Sequence, residues 1–410
     1  MYHYYTYDGR TLCSAGALPY PEISALPETG EVLWVFHRPP LAGRDTFPVT
    51  DPAQLTEEEG VASLCTAPCP EDVPPALLSA IRAGRVRAVN GSHPRLEELL
   101  APVSRPEKVR VNLLALGDVG STLLLGLRLM GGDVISSIGI CDLREGVAQR
   151  WEFELNQIQL PGPYDALPPV EIVSPEQLFD GDVFLFCASR FVPDTAVKTG
   201  DVRMAQYQLN RELAALYARK AREARYRGLF CVVSDPVDPL CRAVLTESNR
   251  APGGGMDYQG LLTCQVRGFG LGVMNARAAY YARQDPRFAS FLIDGRTFGP
   301  HGEDLVVANS IDRYDDGLSR LLTERTVHAN LQMREMGFKP YVAPALSSGA
   351  LSLLLCLRGQ WHCSSTYLGG VFMGARNRVT AAGTELERLP LPRQLQDRLQ
   401  TTMDRLRAID

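Results

Sequence analysis

The sequence predicts an α/β protein built on a doubly wound parallel sheet. Three observations carry that expectation. From Lys108 onward, near-continuous β-type runs alternate with helix-length stretches. The first run ends in a glycine-bearing turn that opens directly into an apolar helix, and an aspartate closes the second run, 22 residues beyond the last glycine of that turn. Buried strands alternating with helices imply a parallel sheet covered on both faces.

In chain order, residues 1–105 form an N-terminal extension of unknown role, read as a small α/β unit. It is rich in proline and acidic residues, with a strand over Glu31 to Phe36 and helical patterns at Pro75 to Ala83 and Pro94 to Leu100. It ends at the linker Pro102-Val103-Ser104-Arg105-Pro106. Beyond it, Val109 to Leu116 reads as a strand, Ser121 to Met130 as an apolar helix and Val134 to Cys141 as a second buried strand. Val183 to Cys187 and Leu229 to Val233 follow as further strands. The helix expected over Gln206 to Arg225 places Leu209, Leu213, Leu216 and Ala221 near helical spacing, as a sheet-covering face opposite a solvated basic one. No period of 20 to 50 residues recurs, which excludes solenoids and propellers.

Composition narrows the function classes. The chain has 410 residues, 42 basic against 47 acidic, and a formal charge of -5. No Lys/Arg stretch builds the positive surface that phosphate backbones require, so nucleic acid is not an expected partner. The N-terminus lacks a basic flank with an apolar core, and the longest apolar run, Ala350 to Leu357, is far short of the ~20 residues a bilayer span needs, so no membrane partner is expected. Ten cysteines, mostly inside apolar segments such as Gly139-Ile140-Cys141, read as reduced core residues of a cytoplasmic protein. Neither Cys65 with Cys69 nor His362 with Cys363 supplies four ligands at zinc spacing, so no metal site is expected.

The turn Leu116-Gly117-Asp118-Val119-Gly120-Ser121 stands between a strand and a helix, where glycines let backbone approach a pyrophosphate and the helix N-terminus attracts the anion. Gly117, Asp118, Val119 and Gly120 are therefore candidate cofactor-binding residues, the alternative being an ordinary tight turn. Ala115 occupies the place of the first glycine in the three-glycine fingerprint. Asp142 is placed to accept ribose hydroxyls and to repel a 2'-phosphate, which favours NAD over NADP.

Further motifs follow in a recognisable order: Asp180-Gly181-Asp182 before the strand ending at Ala188, Ser234-Asp235-Pro236-Val237-Asp238, Met274-Asn275-Ala276-Arg277, and Gly299-Pro300-His301-Gly302-Glu303-Asp304. Ala343-Pro344-Ala345 and Glu387-Arg388-Leu389-Pro390-Leu391 come near the end. With these, residues 108 to 395 resemble the lactate/malate dehydrogenase family. The resemblance implies a Rossmann-type NAD-binding domain over 106–270, an α+β substrate domain over 271–410, and a homodimer or homotetramer. It implies that His301 exchanges a proton with the substrate oxygen, for which imidazole is suited by an unperturbed pKa of ~6.5. Arg277 would clamp the substrate carboxylate through a two-pronged bond. Arg203 would polarise the reacting carbonyl from a mobile loop, the alternative being a solvated loop charge. Ala188 and Asn210 fall at cofactor-binding positions. The loop Phe191 to Val202 would set specificity, with Asp194 and Lys198 as candidate readers.

Two positions depart from the family's pattern. Asp235 stands where the family has a substrate-contacting asparagine, replacing a hydrogen-bond donor by a carboxylate that, when ionised, only accepts. Met274 stands where an aspartate normally holds the catalytic histidine, and Asn275 is one residue out of register. The expected function is NAD-dependent interconversion of a 2-hydroxy acid and a 2-oxo acid, with Asp235 also contributing at the catalytic centre. Two alternatives stay open: reduction of a 2-imino acid, which a carboxylate beside the reacting centre suits, and an NAD-binding module without catalysis.

Overall fold

The computed structural model describes residues 2–102, 106–190 and 201–409, without the side chains of 201–205. Six parallel strands lie side by side in the order Val170–Ile172, Ile135–Cys141, Val109–Leu114, Val183–Phe186, Leu229–Val232 and Val266–Gly268. Numbered along the chain this is 3-2-1-4-5-6. In that order the winding reverses between the first and fourth strands, leaving a crevice at their carboxyl ends where ligands of such sheets bind. The apolar runs seen in the sequence are explained by burial on both faces: Val183–Phe186 is buried at every position. Val170–Ile172 and Val266–Gly268, each three residues long, were too short to stand out in the sequence.

His362–Leu368, Val371–Thr380 and Gly383–Leu386 continue the sheet in antiparallel fashion beyond Val266–Gly268, so one nine-stranded sheet runs across residue 270. The helix Asp118–Met130 covers one face with Leu123, Leu124 and Leu127. The helix Asp201–Glu223 covers the other with part of the face expected, Ala221 being buried and Leu213 packed on the core. Leu209 and Leu216 are exposed at 40% and 39%, whereas Tyr207, Asn210, Ala214, Tyr217, Ala218 and Ala221 are buried. The buried set also keeps helical spacing, and its three alanines let the helix come close while Tyr217 packs on Phe184 and Phe186.

Residues 3–90 form a separate six-stranded sheet, with Arg10–Ser14, Val32–Phe36 and Val86–Asn90 parallel at its centre. Only Val32–Phe36 was legible beforehand, because His3–Tyr7 and Arg10–Ser14 mix tyrosine, threonine and charge at half-buried positions. This sheet is fastened to the larger one through one buried and one half-buried polar pair. Asp45 Oδ2 accepts the Thr263 N–H at 3.0 Å and its hydroxyl at 2.8 Å, and Arg388 forms a two-pronged pair with Glu57 at 2.8 and 2.9 Å.

Candidate functional site

The site is assembled along the crevice. The first strand stops at Leu114 because Ala115 turns into the left-handed region, φ 76°, a conformation that costs a residue with a Cβ about 1–2 kcal/mol. This explains why a glycine is usual there. At Gly120 a Cβ would meet the Ala115 carbonyl oxygen at 2.0 Å and the Cys187 side chain at 3.4 Å, so the helix is packed on the turn and on the end of the fourth strand. At Gly117 a Cβ would meet nothing within 4 Å. Its exposed backbone and the N-terminus of the following 13-residue helix face open space, the arrangement a pyrophosphate requires. Val119 is half-buried in the first turn, and Asp118, exposed, pairs with Lys339 at 3.3 Å across the mouth of this turn.

The two glycines make separable predictions. Gly117→Ala should melt like the wild-type protein yet bind NADH at least tenfold more weakly, about 1.4 kcal/mol, because its methyl enters the space left for the phosphates. Gly120→Ala should lose about 1–3 kcal/mol of stability as well, since neither backbone can yield cheaply. Thermal melts and NADH fluorescence titrations check both, and equal NADH affinity in Gly117→Ala would remove the turn from the binding site.

Asp142 is half-buried and its carboxylate is already engaged. Its carboxylate accepts from the Leu116 N–H at 2.7 Å, the Arg144 N–H at 2.9 Å and the Arg144 Nε at 3.1 Å. Burial pushes its pKa up, but these hydrogen bonds outweigh it and hold the carboxyl below the ordinary range. A ribose hydroxyl would have to replace a contact from Arg144, whose side chain is 64% exposed and free to swing away.

Asn210 is corrected from a cofactor contact to an internal brace. It is 0% exposed, accepts the Arg190 N–H at 2.9 Å and the Ser189 hydroxyl at 3.2 Å, and donates to the Asp235 carbonyl at 2.8 Å. It thereby ties the end of the fourth strand to the turn after the fifth. The half-buried Ala188 joins the same link, its carbonyl accepting the Ser234 hydroxyl at 2.7 Å.

That turn reaches the histidine. Asp238, buried in the first turn of the helix Val237–Ser248, accepts the His301 backbone N–H at 3.2 Å. Burial pushes its pKa up to about 6, against the pull of Ser365 and His301. The His301 ring contacts Gly270 rather than a carboxylate, with Nδ1 2.8 Å from the Gly270 carbonyl oxygen. A carbonyl only accepts, so Nδ1 carries a proton, and in the neutral ring Nε2 keeps its lone pair. Met274 is buried one turn into the helix Leu271–Gln284, and the Asn275 side chain accepts from the Thr297 hydroxyl at 3.2 Å, away from this role.

Arg277, two turns into the same helix, is half-buried. Its guanidinium touches the Met274 sulfur at 3.5 Å. Burial lowers its pKa, while Tyr281 and the exposed Asp235 raise it, which places Asp235 within electrostatic reach of Arg277. The turn 235–238 thus bonds the His301 backbone through Asp238 and acts on Arg277 only through the charge of Asp235. Arg203 is corrected from a loop position to the first turn of the helix Asp201–Glu223, its side chain outside the described residues. Asp194 and Lys198, with residues 191–200 of the expected specificity loop, lie outside them as well. Asp238, Gly270 and Ser348 were not assigned roles from sequence. Only Asp238 carried a signal, as the last residue of the Ser-Asp-Pro-Val-Asp turn. Among the described residues, no group of three or more His, Cys, Asp or Glu side chains could hold a metal ion, and no helix is long and apolar enough to cross a membrane.

No family model matches the chain. An L-lactate dehydrogenase of Mesomycoplasma hyopneumoniae (strain 232) is 24% identical over 204 residues, covering 49% of this chain and 58% of that protein. L-lactate dehydrogenase 2 of Staphylococcus aureus (strain JH9) is 24% identical over 196 residues, covering 47% and 54%. The match thus spans little more than half the length of these curated relatives. Among solved structures, the minor L-lactate dehydrogenase of Enterococcus mundtii superposes with a TM-score of 0.59 at 19% identity, covering 74% of this chain and 98% of that one. Malate dehydrogenase of Plasmodium falciparum gives 0.57 at 14% identity, covering 73% and 96%. The superposition and the strand order agree: this chain shares the fold of the lactate and malate dehydrogenases and is similar in sequence to L-lactate dehydrogenases over about half its length.

Proposed function

We propose that the protein is an oxidoreductase that interconverts a 2-hydroxy acid and a 2-oxo acid with NAD. The observation that carries this reading is the chain of hydrogen bonds from the end of the fourth strand through Asn210 to the turn 235–238 and on to the His301 backbone, with the glycine turn packed at one end and Arg277 within the electrostatic influence of Asp235 at the other. It joins an anion-accepting turn to a proton-transferring ring and a guanidinium. When bound, the nicotinamide supplies or accepts the hydride.

The chain's own residues supply the rest. His301 Nε2 takes the hydroxyl proton in the oxidising direction and returns it to the oxygen in the reducing one. Arg277 holds the carboxylate, and among the described residues its hydrogen-bonding neighbour is the Met274 sulfur, which leaves donors for the substrate. Arg203, at the head of its helix, is the proposed stabiliser of the developing oxyanion.

A second reading is favoured by one feature, the carboxylate of Asp235 near Arg277. A pair of opposite charges suits a substrate that carries both a carboxylate and a cationic nitrogen, as a 2-imino acid does. NADH oxidation over a panel of 2-oxo acids, with and without ammonium or primary amines, tests both. Turnover without amine supports the hydroxy-acid reading, and strict amine dependence replaces it with the imino-acid one. NADH binding with no turnover leaves only a binding module.

A further inference from the structure

The missing carboxylate partner of His301 has a structural replacement. The helix Leu271–Gln284 begins at Gly270, and the segment Pro344–Leu351 packs against its start as a π-helical turn. One close approach locks this contact and another seats His301 on the helix start. A Cβ on Gly272 would meet the Ser347 carbonyl oxygen at 2.5 Å, and one on Gly270 would meet the His301 Cβ at 2.7 Å. Within the contact, Ser348 is 2% exposed. Its Oγ lies 2.8 Å from the Val273 nitrogen and 2.6 Å from the Gly270 carbonyl oxygen.

The hydrogen positions follow from chemistry alone. The Val273 N–H can only donate, so it occupies a lone pair of the serine oxygen, and the serine proton points at the Gly270 carbonyl, which can only accept. The same carbonyl takes the Nδ1–H of His301 at 2.8 Å. The Gly270 carbonyl oxygen, at the N-cap of the helix, therefore receives both the serine proton and the imidazole Nδ1–H, and the serine narrows the direction from which the imidazole can approach it.

We propose that Ser348 is a positioning residue for His301, acting through the Gly270 carbonyl to hold the ring with Nδ1 protonated and Nε2 open, in the place of the carboxylate that Met274 lacks. The proposal rests on His301 being the proton-transferring residue. It predicts more than local stability, because a serine that merely capped the Val273 N–H would leave the tautomer of a distant ring unchanged.

The test is read first without cofactor or substrate. In ¹⁵N-histidine-labelled protein, with His301→Gln used to assign its signals, His301 should appear as the Nδ1-protonated tautomer at a pH where it is neutral. A dominant Nε2-protonated form overturns the proposal. In Ser348→Ala the Gly270 carbonyl can still accept from Nδ1 but loses the donor that holds its direction, so the Nδ1–H fraction should fall, and kcat should fall about tenfold with KM within twofold. An unchanged tautomer with unchanged kcat overturns the role of Ser348. Ser348→Cys, close in size and weaker as donor and acceptor, keeps the question answerable where the alanine variant does not fold. It should move both readouts the same way, and wild-type values for both overturn the proposal. Should no substrate turn over, the proposed activity fails, while the tautomer still decides the relay.

Discussion

His301→Gln should reduce turnover of the preferred substrate by about 10²- to 10⁴-fold, the usual contribution of a positioned acid–base group, while NADH affinity stays within twofold. Glutamine approximates the size of the ring and can hydrogen-bond the Gly270 carbonyl, but it cannot exchange a proton near neutral pH. The backbone anchor from Asp238 to the His301 N–H survives the substitution, so a fall in turnover is not a fall in folding. Steady-state kinetics beside a fluorescence titration of NADH separate the two quantities. Retention of more than a tenth of wild-type turnover would mean that the proton travels by another route.

Arg277→Lys should raise the substrate KM by roughly 30- to 150-fold, equivalent to about 2–3 kcal/mol for a charged two-pronged hydrogen bond lost in a partly buried setting. The lysine keeps the charge and loses the planar fork. Stability should hardly change, because among the described residues the guanidinium's hydrogen-bond contact is the Met274 sulfur, a weak acceptor. A thermal melt like the wild type with a raised KM is the expected pair of results. An unchanged KM would show that Arg277 does not touch substrate, and Asp235 would then lose its reason for lying near it.

The site was legible in part, and the residues show where legibility stopped. His301 and Arg277 were found because each sits in a short run with a distinct pattern, and Gly117 and Gly120 because the turn follows an apolar strand and opens an apolar helix. Asn210 was found by spacing but misread, since spacing along a helix does not say which way a side chain faces. Its burial turned a supposed contact into a brace. The same error affected Leu209 and Leu216, whose spacing suited the sheet but whose face lies toward solvent. Ser348 was not readable at all: it lies 47 residues beyond His301 and acts through a backbone carbonyl that no sequence pattern marks.

The sequence by itself determined the parallel sheet, the glycine turn and the residue types available for chemistry, because these depend on short-range regularities: apolar runs, helical spacing and the backbone freedom of glycine. Only the tertiary structure decided which of those residues meet. It gave His301 a neutral carbonyl in place of a carboxylate, brought Asp235 within reach of Arg277, and filled the carboxylate of Asp142 with Arg144 and a backbone N–H. The physical reason is that hydrogen bonds and ion pairs act over a few ångströms. Their partners are set by the close packing of helices and strands from distant parts of the chain.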